Sequence, residues 1–137
     1  MHDAARRLLL GLALGTGLAL GATGAPAAER LAPLVQGWER YFTVEWRVGE
    51  ARGRPVVWGY VQNAWGLPAI RVQLLVEGLD GAGQVIGQRV EWLADGTLMP
   101  GERAYFEVPA PGPAAQYRVS VFAFDWLLGD GRARRRL

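Results

Sequence analysis

Alternation of apolar and polar positions governs the middle of the chain. Phe42, Val44, Trp46 and Val48 alternate with Thr43, Glu45 and Arg47, the period-two spacing of a strand with one buried face. Residues 49–55 carry two glycines and a proline and read as a turn. A second strand follows over 56–63, then a loop through Pro68. The clearest strand spans 69–79, where Val72, Leu74 and Val76 alternate with Arg71, Gln73 and Glu77. Asp80, Gly81 and Gly83 mark a tight turn, because glycine tolerates positive φ and Asp bonds the backbone ahead of it. A fourth strand, weakened by Gly87, covers 84–93. Asp95-Gly96 and Pro100-Gly101 form the next turn region, and the latter pair fits the centre of a type II turn. A fifth strand spans 103–108, with Ala104, Phe106 and Val108 on one face. After Pro109, Pro111 and Pro113, a last long strand covers 116–126.

Short strands at regular spacing, joined by Gly/Pro turns and without a long helical pattern, predict an all-β fold. The expected architecture is a β-sandwich of about seven antiparallel strands, immunoglobulin-like or fibronectin type III-like. Parallel βαβ units are ruled out, since no connection can hold a crossover helix.

Several motifs fall in a characteristic order: Gly59-x-Val61-x-Asn63, Val72-x-Leu74-x-Val76, Asp80-Gly81-x-Gly83, Leu98-x-Pro100-Gly101, Phe106-x-Val108 and Tyr117-x-Val119-x-Val121. This order resembles the bacterial exported immunoglobulin-like domains of the FxLYD type, over residues 41–126. Phe122-Ala123-Phe124-Asp125 loosely echoes the motif that names them. The resemblance implies a sandwich without established enzymatic activity. Independently of it, Gly59 fits a bulge or a close backbone approach, and Asn63 can cap its strand end by bonding loop amides.

The N-terminus has a different pattern. Arg6 and Arg7 precede an uncharged stretch of Leu, Ala, Gly and one Thr over 8–21, and Ala25-Pro26-Ala27 follows. A basic start, an apolar centre and an A-x-A end predict a secretory signal peptide, residues 1–27, cut after Ala27. An uncleaved inner-membrane anchor is the alternative, since the 18 uncharged residues 8–25 lie near the lower limit of the roughly 17–25 needed to span a bilayer. The arginine pair also allows a twin-arginine signal. The expected location is periplasmic or extracellular. Residues 28–40 form a connecting segment whose Leu31, Leu34, Val35 and Trp38 can dock on the domain of residues 41–128. Residues 129–137 form a basic, flexible tail.

Charge sharpens this division. The whole chain carries a formal +2. Residues 28–131 hold nine arginines against twelve acids, and Arg132, Arg134, Arg135 and Arg136 reverse the sign. The basic character belongs to the signal and the tail, so no nucleic-acid-binding face is expected. Contact with a membrane is expected only through an uncleaved signal or the arginine tail.

The chemistry available is narrow. His2 is the one histidine, Ser120 the one serine, and the chain has neither Cys nor Lys. Ser-His-Asp and Cys-His nucleophilic sites are therefore excluded, as are His or Cys zinc sites. No cofactor, metal or catalytic residue is expected. Glu77, Asp80, Glu91, Glu107 and Asp125 are read as solvated surface charge, with Asp125 also suited to accept a structural hydrogen bond.

Six tryptophans are the remaining anomaly. Trp46 fits the inner face with Phe42 and Val44. If Val57, Gly59 and Val61 face the core, then Trp58 and Tyr60 face outward, and so does Tyr105 beside Phe106. These three rings are the candidate binding patch. The alternatives are that residues 29–40 cover them or that the faces are inverted. Two functions fit: an accessory domain acting through protein–protein contact, or a module that binds a carbohydrate or envelope polymer by stacking rings on sugars. A carboxylate enzyme is a distant third.

Overall fold

A computed structural model describes residues 29–94, 96–128 and, as backbone, 133–135. The signal-peptide reading, and most of the tail, lie outside the described residues. The fold is all-β, a sandwich of two antiparallel sheets. Sheet A holds β1 (Phe42–Ala51), β2 (Arg54–Asn63) and β6 (Arg103–Pro109), in the order β1-β2-β6. Sheet B holds β3 (Ala69–Leu79), β4 (Val85–Trp92), β7 (Gln116–Leu127) and β8 (Ala133–Arg135), in the order β4-β3-β7-β8. The two-residue β5 (Thr97–Leu98) pairs with the start of β3.

β1 and β2 form one uninterrupted hairpin, with pairs from Phe42↔Asn63 to Ala51↔Arg54. Its turn is only Arg52-Gly53, with φ of 53° and 77°. Positive φ at both central residues is the type I′ geometry that matches strand twist. The turn expected over 49–55 is thus shorter, and Gly49 belongs to the strand. Its missing side chain leaves space for the Trp58 indole, whose Nε1 lies 3.1 Å from where a Cβ would stand. Gly59 is under a harder constraint. A Cβ there would come within 1.9 Å of the Glu45 carbonyl oxygen, so glycine is required for β1 to approach.

The core forms where the inner faces meet. Val57, Val61, Phe106 and Val108 from sheet A pack with Val72, Leu74, Val76, Val119 and Val121 from sheet B, all buried. The three residues expected to anchor β3 are 2%, 1% and 0% exposed for Val72, Leu74 and Val76. One end is closed by aromatic rings. Phe42 stacks on Trp126 at 6.0 Å, and Phe124 meets both edge-on. Such contacts add about 0.5–1.5 kcal/mol per pair beyond burial.

Asn63, fully buried, ties the loops at this end. Its amide donates to the carbonyls of Leu67 (2.8 Å) and Leu98 (2.9 Å), and its Oδ1 accepts from Trp65 N–H. The Asp80 turn forms as expected, with Oδ1 accepting from the amides of Ala82 and Gln84. Pro100-Gly101 sits in a turn closed by Glu102 N–H to the Met99 carbonyl, with Gly101 at φ 80°. That is the type II form.

Three sequence expectations change. Trp46 lies on the inner side, where its Nε1 donates to the Tyr117 carbonyl at 3.0 Å. It is nevertheless 36% exposed and Val48 54%, because period two fixes the side of a residue and not whether an opposing layer reaches it. Glu77 is not a solvated charge, and Asp125 is instead the structural hydrogen-bond acceptor that its sequence also suited it to be. Glu77 is 5% exposed and pairs with Arg118 at 2.9 Å. Asp125 is 6% exposed and pairs with Arg71 at 2.7 Å. Arg71 stands at φ 54° where the β3–β7 register shifts, and this irregularity turns it toward Asp125. Finally, the tail is not a free end throughout. Ala133–Arg135 pairs with β7, placing Arg135 opposite Asp125 along the backbone ladder.

Candidate functional site

The outer face of sheet A is set by the alternation of β2 and β6. Val57 and Val61 are fully buried, so Trp58 and Tyr60 emerge on the opposite side. Ala104, Phe106 and Val108 are buried, so Arg103, Tyr105 and Glu107 emerge with them. The ladder then fixes neighbours in rows. Glu45 is opposite Tyr60, and Tyr60 opposite Tyr105. Arg47 is opposite Trp58, and Trp58 opposite Glu107.

The three rings singled out in the sequence are therefore brought together. Tyr60 and Tyr105 have centroids 5.6 Å apart at 65°, and Trp58 and Tyr105 are 6.3 Å apart at 38°. Their exposure differs. Tyr105 is 49% exposed, while Trp58 and Tyr60 are half-buried within the surface. The Arg103 guanidinium lies 4.1 Å from the Tyr60 ring centre, a cation–π contact. Tyr105 Oη donates to Glu107 Oε1 at 2.7 Å. That hydrogen bond, followed by slight desolvation and the carboxylate's charge, raises the phenol's pKa above its ordinary value. Beside the rings an open depression of about 570 Å³ is lined by Glu45, Trp46, Arg47, Trp58, Gly59 and Tyr60.

The hydrogen bonds by which Leu31 and Leu34 hold the segment before β1 go to sheet B and not to this patch. Leu31 N–H donates to Gln88 Oε1 and its carbonyl accepts from Gln88 Nε2, at 2.9 and 2.8 Å. Leu34 N–H donates to the Phe122 carbonyl at 2.8 Å. Val35 is buried in the core, and Trp38 opens a single 3-10 turn, Trp38–Arg40, packed against it.

Sequence reasoning missed the charged frame of the patch: Arg103, Glu107, Glu45 and Arg47. The signal was present, since all four share the strand parity of the outward rings. Among the described residues no group of three or more His, Cys, Asp or Glu side chains is placed to hold a metal ion. What the arrangement offers is an amphipathic, shallow surface on rigid strands. A scan against protein-family models found no match for this chain, and neither the curated proteins nor the solved structures searched contain one.

Proposed function

We propose that this protein is an exported, non-enzymatic binding domain that acts through protein–protein contact at the outer face of sheet A. The observation that carries this reading is the cluster of Trp58, Tyr60 and Tyr105 framed by Arg103, Glu107, Glu45 and Arg47. Tyr, Trp and Arg supply most of the binding energy at protein interfaces, and strand-held rings lose little entropy on binding. A sugar-stacking platform fits less well. The rings are inclined by 65° and 38°, and Arg103 already occupies one side of Tyr60. The domain's kinship with FxLYD-type exported sandwiches belongs to the same proposal. So do the signal peptide cut after Ala27 and a periplasmic or extracellular site of action.

Two experiments test it. A photo-crosslinking amino acid at Tyr105 should join the protein to a discrete polypeptide in intact cells, while the same probe at Arg54 should not. Crosslinks only to glycan would favour the polymer-binding alternative. Mass spectrometry of the exported protein should find Ala28 as first residue, whereas intact Met1 in a membrane fraction would show an anchor.

A further inference from the structure

β1 is an edge strand with unusual regularity. β2 takes one side of it, and no described strand takes the other. Its ten pairs with β2 run without a register shift, and it contains no proline. The other edges are blunted. β6 ends at Pro109, with Pro111 and Pro113 following. β4 is shorter and faces a register shift, and the Pro111 carbonyl crowds Gly87. The second side of β7 is taken by β8. A long, flat edge is a template for pairing with another strand.

The side chains of β1 specify what that strand is. We propose that β1 pairs antiparallel with β1 of a second copy of this chain, about a two-fold axis at Trp46. The two three-stranded sheets then become one continuous sheet. In this register Trp46 faces Trp46, Glu45 faces Arg47, and Val44 faces Val48 of the second copy. The exposed apolar residues of the edge, Trp46 and Val48, each meet an apolar mate on the inner side. Glu45 and Arg47, which have no ion-pair partner among the described residues, meet opposite charges on the outer side.

Neighbouring registers lose this match. A shift of two residues one way sets Glu45 against Glu45, and the other way Arg47 against Arg47; like charges directly opposite are destabilising. A shift of one sets inner against outer positions, which inverts the second sheet. Symmetric association through one self-complementary patch is the commonest form of dimer. The pairing also sets the depressions lined by Glu45, Arg47, Trp58 and Tyr60 side by side across the axis. It stands independently of the proposed partner surface, since it rests on the edge and not on the rings.

The chain has no cysteine, so single cysteines report the register directly. Directly opposed residues in an antiparallel pair have Cα atoms about 4.5–5.5 Å apart, within disulfide reach. Purified full-length Trp46→Cys, oxidised in dilute solution, should become a covalent dimer at least about tenfold faster than Val48→Cys. Mixing Glu45→Cys with Arg47→Cys should give a mixed disulfide faster than either alone; this pair tests the register if Trp46→Cys folds poorly. Glu45→Arg should slow Trp46→Cys crosslinking about tenfold, because symmetry spoils two pairs at once. Adding Arg47→Glu should restore it. Equal rates at positions 46 and 48, no rescue by the double exchange, or a strict monomer in sedimentation of the unmodified chain would each overturn the proposal.

Discussion

The outer face of β3 in sheet B and that of β2 and β6 in sheet A are treated in opposite ways. Sheet B opens toward Trp92, itself 63% exposed, but two outward side chains of β3 are buried, Leu75 at 0% and Glu77 at 5% exposure. The polar groups there are bonded among themselves. Glu77 accepts from Arg118 and Gln88, and Gln88 in turn clasps the backbone of Leu31. On sheet A the outward positions of β2 and β6 carry rings, and Tyr105 remains 49% exposed. Among the described residues, Leu31 and Leu34 bond to strands of sheet B, while Tyr105 on sheet A stays exposed. A face closed by the molecule's own chain contributes to stability, whereas an aromatic face left open is free for a partner.

The comparison can be broken most directly at Leu75. If sheet B is covered, Leu75→Ala should cost about 2–5 kcal/mol, as for other buried leucines. The inner-face reference, Leu74→Ala, should fall in the same range. Urea denaturation of both variants measures this. A loss below about 0.5 kcal/mol at Leu75 would mean that its face is as open as that of sheet A.

Glu77 gives the next largest effect. Removing its carboxylate in Glu77→Ala leaves Arg118 and Gln88 without their acceptor. Arg118 is half exposed and regains water, which limits the loss to about 1–3 kcal/mol. An unchanged denaturation midpoint would show that the Glu77–Gln88–Leu31 connection does not hold the N-terminal segment in place. Trp58→Ala should be milder, about 1–2 kcal/mol, because the indole is only half-buried over Gly49. Tyr105→Ala should leave the midpoint unmoved while abolishing co-purification of the polypeptide that the probe at position 105 crosslinks. A loss of about 3–5 kcal/mol at Trp58 would place it in the core and remove it from the partner surface.

Much of this was legible in the sequence. Val57 and Val61 fix the face of β2, and that choice alone places Trp58 and Tyr60 outward. The bounds of β3, the Asp80 turn and the Pro100-Gly101 turn also follow from local chemistry. Coverage did not, because alternation records which side a residue takes and not how far the facing layer extends. Hence Trp46 and Val48 read as core and are exposed, while Glu77 reads as surface and is buried. The three-residue β8 carries too little pattern to be seen, and its arginines point the reader toward a free end. Gly49 read as a turn because a glycine that makes room for a neighbouring indole looks the same in sequence as one that bends the chain.

The smallest effect is the most specific to the open face. Tyr105 Oη donates to Glu107 Oε1 at 2.7 Å, which favours the neutral phenol. The same carboxylate repels a phenolate. Both influences act in one direction, so the folded protein holds this proton more tightly than a free tyrosine does. Ultraviolet titration of the folded chain should therefore show a Tyr105 step above the ordinary tyrosine range. Glu107→Ala removes the acceptor and the charge together and should bring that step down to the ordinary range. The shift concerns an exposed group, so the denaturation midpoint at neutral pH should stay where it is. A Tyr105 step that ignores Glu107→Ala would mean that the ring swings free of its neighbour. The open face would then lack the fixed ring geometry that separates a built binding surface from an uncovered one.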